Sequence, residues 1–280
     1  MINFNTDRLV IVCYPRLSGG KFLINCLGLN DNCVFQHQDL VNINYQEKIT
    51  YLHNKLDQAR QNKRWTDLDL GCYQLFNDIS LTRFISNKIN FKSVISSTVK
   101  QLSDDSNKFF FLVAHDIPTL KEYLKFWKNP KIVFFQNYHD FIQHRKPIKD
   151  LTVTKYWDRI KGPDWPSHPP TSISDIKKLP KFVQAELSDI FNNEIKTILT
   201  PDPILTKFDK QTQQITKKIN PKNCYFWDVD NYNSSELLTS NLQQCYNWLG
   251  LTIYNKQDIV NYYNDWVNTL NIITNYKTIQ

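Results

Sequence analysis

The segment from Arg8 to Cys13 (RLVIVC) constrains the fold more than any other stretch of this chain, because it is a continuous apolar run rich in β-branched residues. A strand with one wet face alternates apolar and polar residues. A run without alternation predicts a strand covered on both faces, as in a parallel sheet. Phe109 to Ala114 (FFFLVA) and Lys131 to Phe135 (KIVFF) repeat the pattern, and Asn223 to Val229 (NCYFWDV) supplies a fourth strand. Between these runs the apolar period lengthens to that of a helix. Lys21 to Leu29 forms a short apolar helix, Tyr45, Ile49, Leu52 and Leu56 mark a second, and Val94, Ile95, Val99 and Leu102 a third. Pro118 to Trp127 joins the second and third strands as a helix, completing a βαβ unit expected to be right-handed. Lys181 to Ile198 is helix-like. Leu238, Leu242, Cys245 and Leu249 share a helical face that ends at Gly250 as C-cap, and Ile259, Tyr263, Trp266, Val267 and Leu270 line a final amphipathic helix.

The expected fold class is therefore α/β, a three-layer parallel sheet with helices on both faces. With 280 residues we expect a single domain over 1–280, carrying helical or irregular insertions near 40–107 and 146–220. Trp65 to Ile79 is irregular, and Pro147 to Pro180, rich in Pro and Trp, reads as an excursion over the substrate side or an irregular connection. At 41% hydrophobic and 22% charged, and without a run of about eighteen apolar residues to span a bilayer, the chain is expected to be soluble and globular. The polar start, Met1 to Asp7, lacks the segments of a secretory signal. Six widely spaced cysteines form no C-x-x-C pair, as expected of buried thiols in a reducing, cytoplasmic setting. The net charge of +7 favours anionic partners, but basic residues come only in pairs such as Lys63-Arg64 and Lys217-Lys218, so no nucleic-acid groove is expected.

Ligands of open α/β sheets bind beyond the carboxyl ends of the strands, so the residues that follow each strand are the candidates. After the first come Arg16, Ser18, Gly19, Gly20 and Lys21. The chain has only six glycines, and the adjacent pair marks a place where the backbone needs unusual freedom or close approach. Helix amides and two cations would hold an anion there. The spacing is not that of a Walker A loop, since Pro15 and Phe22 stand where Gly and Ser or Thr are required. A plain β–α turn with solvated cations is the alternative.

After the second strand, His115, followed by Asp116 and Pro118, sets an imidazole at the same edge, as a general base for a hydroxyl or as a structural hydrogen-bonding group. After the third come Gln136, Asn137, His139, Asp140, His144 and Arg145, the last five on a short helix or its cap. Asp140 and His144, at i and i+4, either bind a second phosphate or form a solvated face. Asp228 and Asp230 near the fourth strand's end are water-mediated Mg²⁺ holders or exposed loop acids. His37, His53 and His168 show no metal-ligand spacing, and neither G-x-S-x-G nor G-x-G-x-x-G occurs.

The order of these motifs resembles the sulfotransferase superfamily, a nucleotide-binding fold related to P-loop kinases that uses 3′-phosphoadenylyl sulfate (PAPS). Tyr14 to Leu23 (YPRLSGGKFL) is similar to the family's 5′-phosphosulfate loop, Y-P-K-S-G-T-T-W-L, with Leu17 as an extra residue and Gly20-Lys21 in place of the two threonines. Arg16 takes the position of the phosphate-contacting lysine. Val113 to Pro118 (VAHDIP) is similar to K-T-H-L-P, whose His is the catalytic base, which places that role on His115. Lys131 to Asp140 (KIVFFQNYHD) resembles the strand and turn that carry R-N-P-x-D before the 3′-phosphate serine, with Gln136 at the arginine, His144 at the serine and Arg145 as a substitute. The tail from Cys224 to Trp266 resembles the family's late strand, helix and L-G-L connection.

The resemblance covers the two ends and the middle of the chain. It implies a P-loop NTPase/sulfotransferase-like fold, PAPS as donor and a hydroxylated acceptor. The donor is then held by Arg16, Ser18, Gly19, Gly20, Lys21 and Phe22, and by Asn137, Asp140, His144 and Arg145. Sulfonate transfer requires neutralising charge on the moving SO₃ group and its phosphate leaving group while the acceptor loses a proton. Arg16, Lys21 and the loop amides serve the first need and His115 the second, with no metal required. The alternatives are an ATP-dependent kinase of the same broad fold, with Asp228 or Asp230 on Mg²⁺, and a non-catalytic nucleotide- or anion-binding or interaction protein.

Overall fold

A computed structural model describes residues 8–15, 18–33, 44–62, 108–127, 129–144, 173–179, 184, 201–252 and 255–275. Its centre is one sheet of four parallel strands, β1 (Leu9–Cys13), β2 (Phe110–Ala114), β3 (Lys131–Gln136) and β4 (Cys224–Asp228), in the order β2-β1-β3-β4. β1 pairs Leu9 with Phe110 on one side and Val10 with Lys131 on the other. No residue of β1 exceeds 1% exposure, the outcome its unalternating sequence demands, since a polar side chain on either face would lie in the core without water. A one-residue parallel bridge joins Cys33 to Phe109 beside β2, and the Phe109 amide donates to the Asn32 carbonyl at 2.7 Å.

The helices are α1 (Gly20–Gly28), α2 (Tyr45–Asn62), α3 (Ile117–Phe126), α4 (His139–His144), the single turn α5 (Ile173–Ile176), α6 (Pro201–Thr216), α7 (Ser235–Leu249) and α8 (Lys256–Asn275). The connection through α1 leaves β1 toward one side of the sheet, and that through α3 returns past β1 to the other. Right-handed crossovers in opposite directions set the two helices on opposite faces. On the first face Tyr246 of α7 donates its hydroxyl to the carbonyls of Cys26 and Leu27, at 2.7 and 3.2 Å, and Asn25 of α1 donates to the Tyr262 hydroxyl of α8 at 2.9 Å. α2 joins this layer by packing on α8, where Asp265 takes Arg60 at 2.5 Å and His53 at 2.6 Å. On the second face α3 packs against α6, and Tyr123 of α3 donates to the Val113 carbonyl at 3.1 Å. The expectation of helices on both faces of a parallel sheet is met.

The element limits follow local chemistry. α3 begins at Asp116, whose carboxylate accepts the Thr119 amide at 2.6 Å, with proline in its first turn. α7 begins at Ser234, whose hydroxyl accepts the Leu237 amide at 3.2 Å, and ends at Gly250, with φ of 77°. The buried face of α7 is the expected one, Leu238, Leu242, Cys245 and Leu249. α6 was not expected: it lies within the stretch read as an insertion, and buries Leu205, Phe208 and Ile215. The helix expected around Val94 to Leu102 and the irregular stretch Trp65 to Ile79 lie outside the described residues, as does all of Lys181 to Ile198 except Gln184. So do Cys72, His37 and His168. Cys13, Cys26, Cys33, Cys224 and Cys245 form no disulfide, and all but Cys224 are buried. Among the described residues no helix is long and apolar enough to cross a membrane.

This core predicts a specific alkaline weakness. Burial holds the Cys33 and Cys245 thiols far above their ordinary 9.0, and the Tyr123 and Tyr246 hydroxyls far above their ordinary 10.0. Each group stays neutral in the folded chain and ionises on unfolding, so its contribution is complete below pH 9 and is lost as pH rises beyond the unfolded values. The slope approaches about 1.4 kcal/mol per pH unit for each group. Lys48 acts in the opposite sense: burial lowers its pKa below the ordinary 10.5, and rising pH relieves the cost of its charge. One such group does not offset four, so the urea midpoint should fall from about pH 9 upward. A midpoint constant between pH 8 and 10.5 contradicts the packing described.

Candidate functional site

In the order β2-β1-β3-β4 the chain reverses direction across the sheet between β1 and β3. The connections after these two strands diverge to opposite faces and leave a crevice at their carboxyl ends, the place where open α/β sheets take ligands. The loop after β1 and the turn after β3 border it.

In the loop, Ser18 is buried, and its hydroxyl and amide both donate to the Pro15 carbonyl, at 2.7 and 3.3 Å. Ser18 therefore shapes the turn. Gly19, in the left-handed region at φ of 82°, is the N-cap of α1 and offers no side-chain cap. A Cβ on Gly19 would stand 2.8 Å from the Tyr232 ring, and one on Gly20 would stand 2.3 Å from the Tyr14 ring. The close approach read from the glycine pair thus belongs to two tyrosines of the same chain. Tyr232 also donates its hydroxyl to the Gly19 carbonyl at 2.9 Å.

The first α1 amide to bond back is that of Leu23, to Gly19 at 3.3 Å. The amides of Gly20, Lys21 and Phe22 have no acceptor among the described residues, and the first turn carries no acid. Lys21 is half-buried in that turn, whereas Arg16 lies outside the described residues. The Phe22 ring faces inward, stacked on Trp266 at 4.3 Å and on Tyr262 at 5.1 Å. Any contact Phe22 makes with a ligand is through its amide.

His115 follows β2, on the other side of β1. Its ring stands edge-on to Tyr14 with centroids 4.7 Å apart, and Tyr14 leans on Phe135 of β3 at 5.3 Å. Tyr14 is thus a wall shared by the glycine loop, His115 and β3. Asp116 is committed to capping α3.

After β3, Asn137 adopts φ of 55° and precedes the helix rather than lying on it. Its side-chain Nδ2 donates to Asp228 Oδ2 at 2.7 Å, while Asp228 Oδ1 accepts the Asp230 backbone amide at 2.9 Å and caps the turn Val229–Asn233. Both Asp228 oxygens are engaged, and Asp230 is exposed. Asp140 is exposed on the first turn of α4 and His144 ends that helix; Arg145 lies outside the described residues. Phe141 of α4 reaches the loop, 3.5 Å from a Gly19 Cβ.

One constellation escaped the sequence. The buried Tyr138 donates its hydroxyl to Asp209 Oδ1, and His139 Nε2 lies 2.9 Å from Asp209 Oδ2. Burial and the carboxylate both hold the Tyr138 hydroxyl far above its ordinary pKa. The signal that could have placed Asp209 is the spacing of Leu205, Phe208 and Ile215, which fixes the face of α6 turned to the sheet. Of the other histidines, His53 belongs to the α2–α8 contact. Among the described residues no three His, Cys, Asp or Glu side chains are grouped to share a metal ion. Comparison with protein-family models and with curated proteins finds no match for this chain.

Proposed function

We propose that this protein is a sulfotransferase-like enzyme, of the P-loop-related fold, that moves a sulfonate group from PAPS to a hydroxyl acceptor. The observation that carries the reading is the start of α1. Three amides without acceptors among the described residues, the left-handed cap Gly19 and the cation Lys21 converge at the sheet's reversal point. That donor set fits the phosphosulfate end of PAPS. Bound there, PAPS supplies an activated sulfonate on a phosphate leaving group.

The amides of Gly20, Lys21 and Phe22 and the Lys21 ammonium oppose the negative charge that develops on the phosphate oxygens. Arg16, five residues before Lys21, adds a second cation. Ser18 and Gly19 hold the loop in shape. An imidazole at the carboxyl edge takes the acceptor's proton, and the resemblance points to His115. The geometry is less favourable to an ATP-dependent kinase, because both Asp228 oxygens are engaged within the chain.

Calorimetric titration with 3′,5′-adenosine bisphosphate, beside ATP with Mg²⁺, tests the reading. Saturable bisphosphate binding without Mg²⁺ is the expected result. Binding of ATP alone, with strict Mg²⁺ dependence, would favour the kinase, and silence for both would leave an interaction protein or a binder of some other anion.

A further inference from the structure

Two imidazoles follow strands that flank β1, His115 after β2 and His139 after β3. The second of them is set against a carboxylate. Asp209 on α6 accepts from the buried Tyr138 hydroxyl through Oδ1, which fixes the carboxylate, and meets His139 Nε2 at 2.9 Å through Oδ2. The two rings of Tyr138 and His139 stack with centroids 5.1 Å apart and planes within 12°, which restrains rotation of the imidazole. A carboxylate only accepts, so Nε2 carries the proton and the neutral ring presents a bare lone pair at Nδ1. His139 keeps 38% of its side chain exposed, and Nδ1 has no partner among the described residues.

We infer that His139, oriented by Asp209, is the base that takes the proton of the acceptor hydroxyl, with Asp209 as its positioning residue. The role rests on the reading that the crevice holds a sulfonate donor and a hydroxylated acceptor. The acceptor's proton passes to Nδ1, the oxygen's electron pair forms the new bond to sulfur, and the phosphate departs with the pair of the bond that breaks. Asp209 stabilises the resulting imidazolium, the part a carboxylate plays behind a catalytic histidine. α4 reaches the glycine loop through Phe141, so the helix that begins at His139 also borders the donor cradle.

The test uses the full chain without an acceptor. Nitrogen NMR of the imidazoles should show neutral His139 as the Nε2-protonated tautomer, and an Nδ1-protonated ring overturns the inference. Diethyl pyrocarbonate labelling, mapped by peptide mass spectrometry at mildly alkaline pH, should modify His139 faster than His115. Asp209→Asn, with its fold checked by circular dichroism, should slow His139 labelling about tenfold, because the ring loses the acceptor that fixes its proton on Nε2 and makes Nδ1 the better nucleophile. Tyr138→Phe, which keeps the carboxylate, should slow it far less. Equal labelling in wild type and Asp209→Asn, or faster labelling at His115, overturns the inference.

Saturating 3′,5′-adenosine bisphosphate should also change the His139 rate. If the bisphosphate binds and His139 does not respond, the base lies elsewhere. If it does not bind at all, the donor reading fails and the base role with it, while the tautomer and the Asp209 dependence still report whether Asp209 orients His139.

Discussion

Gly20→Ala is expected to destabilise the fold by about 3 kcal/mol or more, although alanine is the better helix former. The reason is contact alone, since Gly20 is not one of the two glycines with positive φ. A Cβ there would lie 2.3 to 2.4 Å from three atoms of the Tyr14 ring, including the carbon nearest its backbone. Rotation of the ring cannot relieve an overlap at that atom. Tyr14 is itself held, buried between His115 and Phe135, with its amide donating to the Ala114 carbonyl at 3.0 Å. The substitution therefore pushes on three parts of the site at once.

Two other glycines calibrate the result. Gly250 has positive φ and nothing within 4 Å of a Cβ, so alanine there should cost only the left-handed backbone, about 1 kcal/mol. Gly19 adds a Tyr232 carbon at 2.8 Å to the same backbone cost and should fall between. Urea unfolding at neutral pH reads all three. Tyr14→Ala introduced with Gly20→Ala should recover part of the loss, a coupling of about 1 kcal/mol or more between touching residues. Wild-type stability in Gly20→Ala, or strictly additive losses in the pair, would show that the ring does not occupy that space.

The same contacts mark the limit of what the sequence could reveal. β1 was legible because burial on both faces is written into five successive residues, and α7 because its buried stripe and its Gly250 cap are local. What escaped reading depends on partners distant along the chain. Nothing near Gly19 announces Tyr232, 213 residues later, and nothing near Asp228 announces Asn137, 91 residues earlier, which turns a candidate metal ligand into a tie between two turns. α6 was obscured by Pro201 and Pro203 at its start and by a polar run, Gln211 to Gln214, at its end. Its apolar spacing was present but brief. The cost of missing α6 was Asp209, and with it the carboxylate that meets His139.

Lys21→Ala is expected to weaken 3′,5′-adenosine bisphosphate binding by about 10- to 100-fold, the worth of one charge-assisted contact to phosphate. Lys21 stands in the first turn of α1, where the helix end already favours an anion and no acid opposes it. The three amides remain in the variant, so affinity should fall rather than vanish. Lys21→Arg should keep most of it, because the charge is retained. Lys21 is half-buried and still in contact with solvent, so the wild-type affinity should weaken with added salt and the variant's less steeply. His115→Ala and His139→Ala should leave bisphosphate affinity near wild type, since neither ring belongs to the α1 amide cradle. Arg16→Ala should resemble Lys21→Ala if the second cation faces the same phosphate. Calorimetry separates these outcomes: unchanged affinity in both cation variants places the bound phosphate away from α1 and removes the donor cradle from this loop, whatever the rate measurements show.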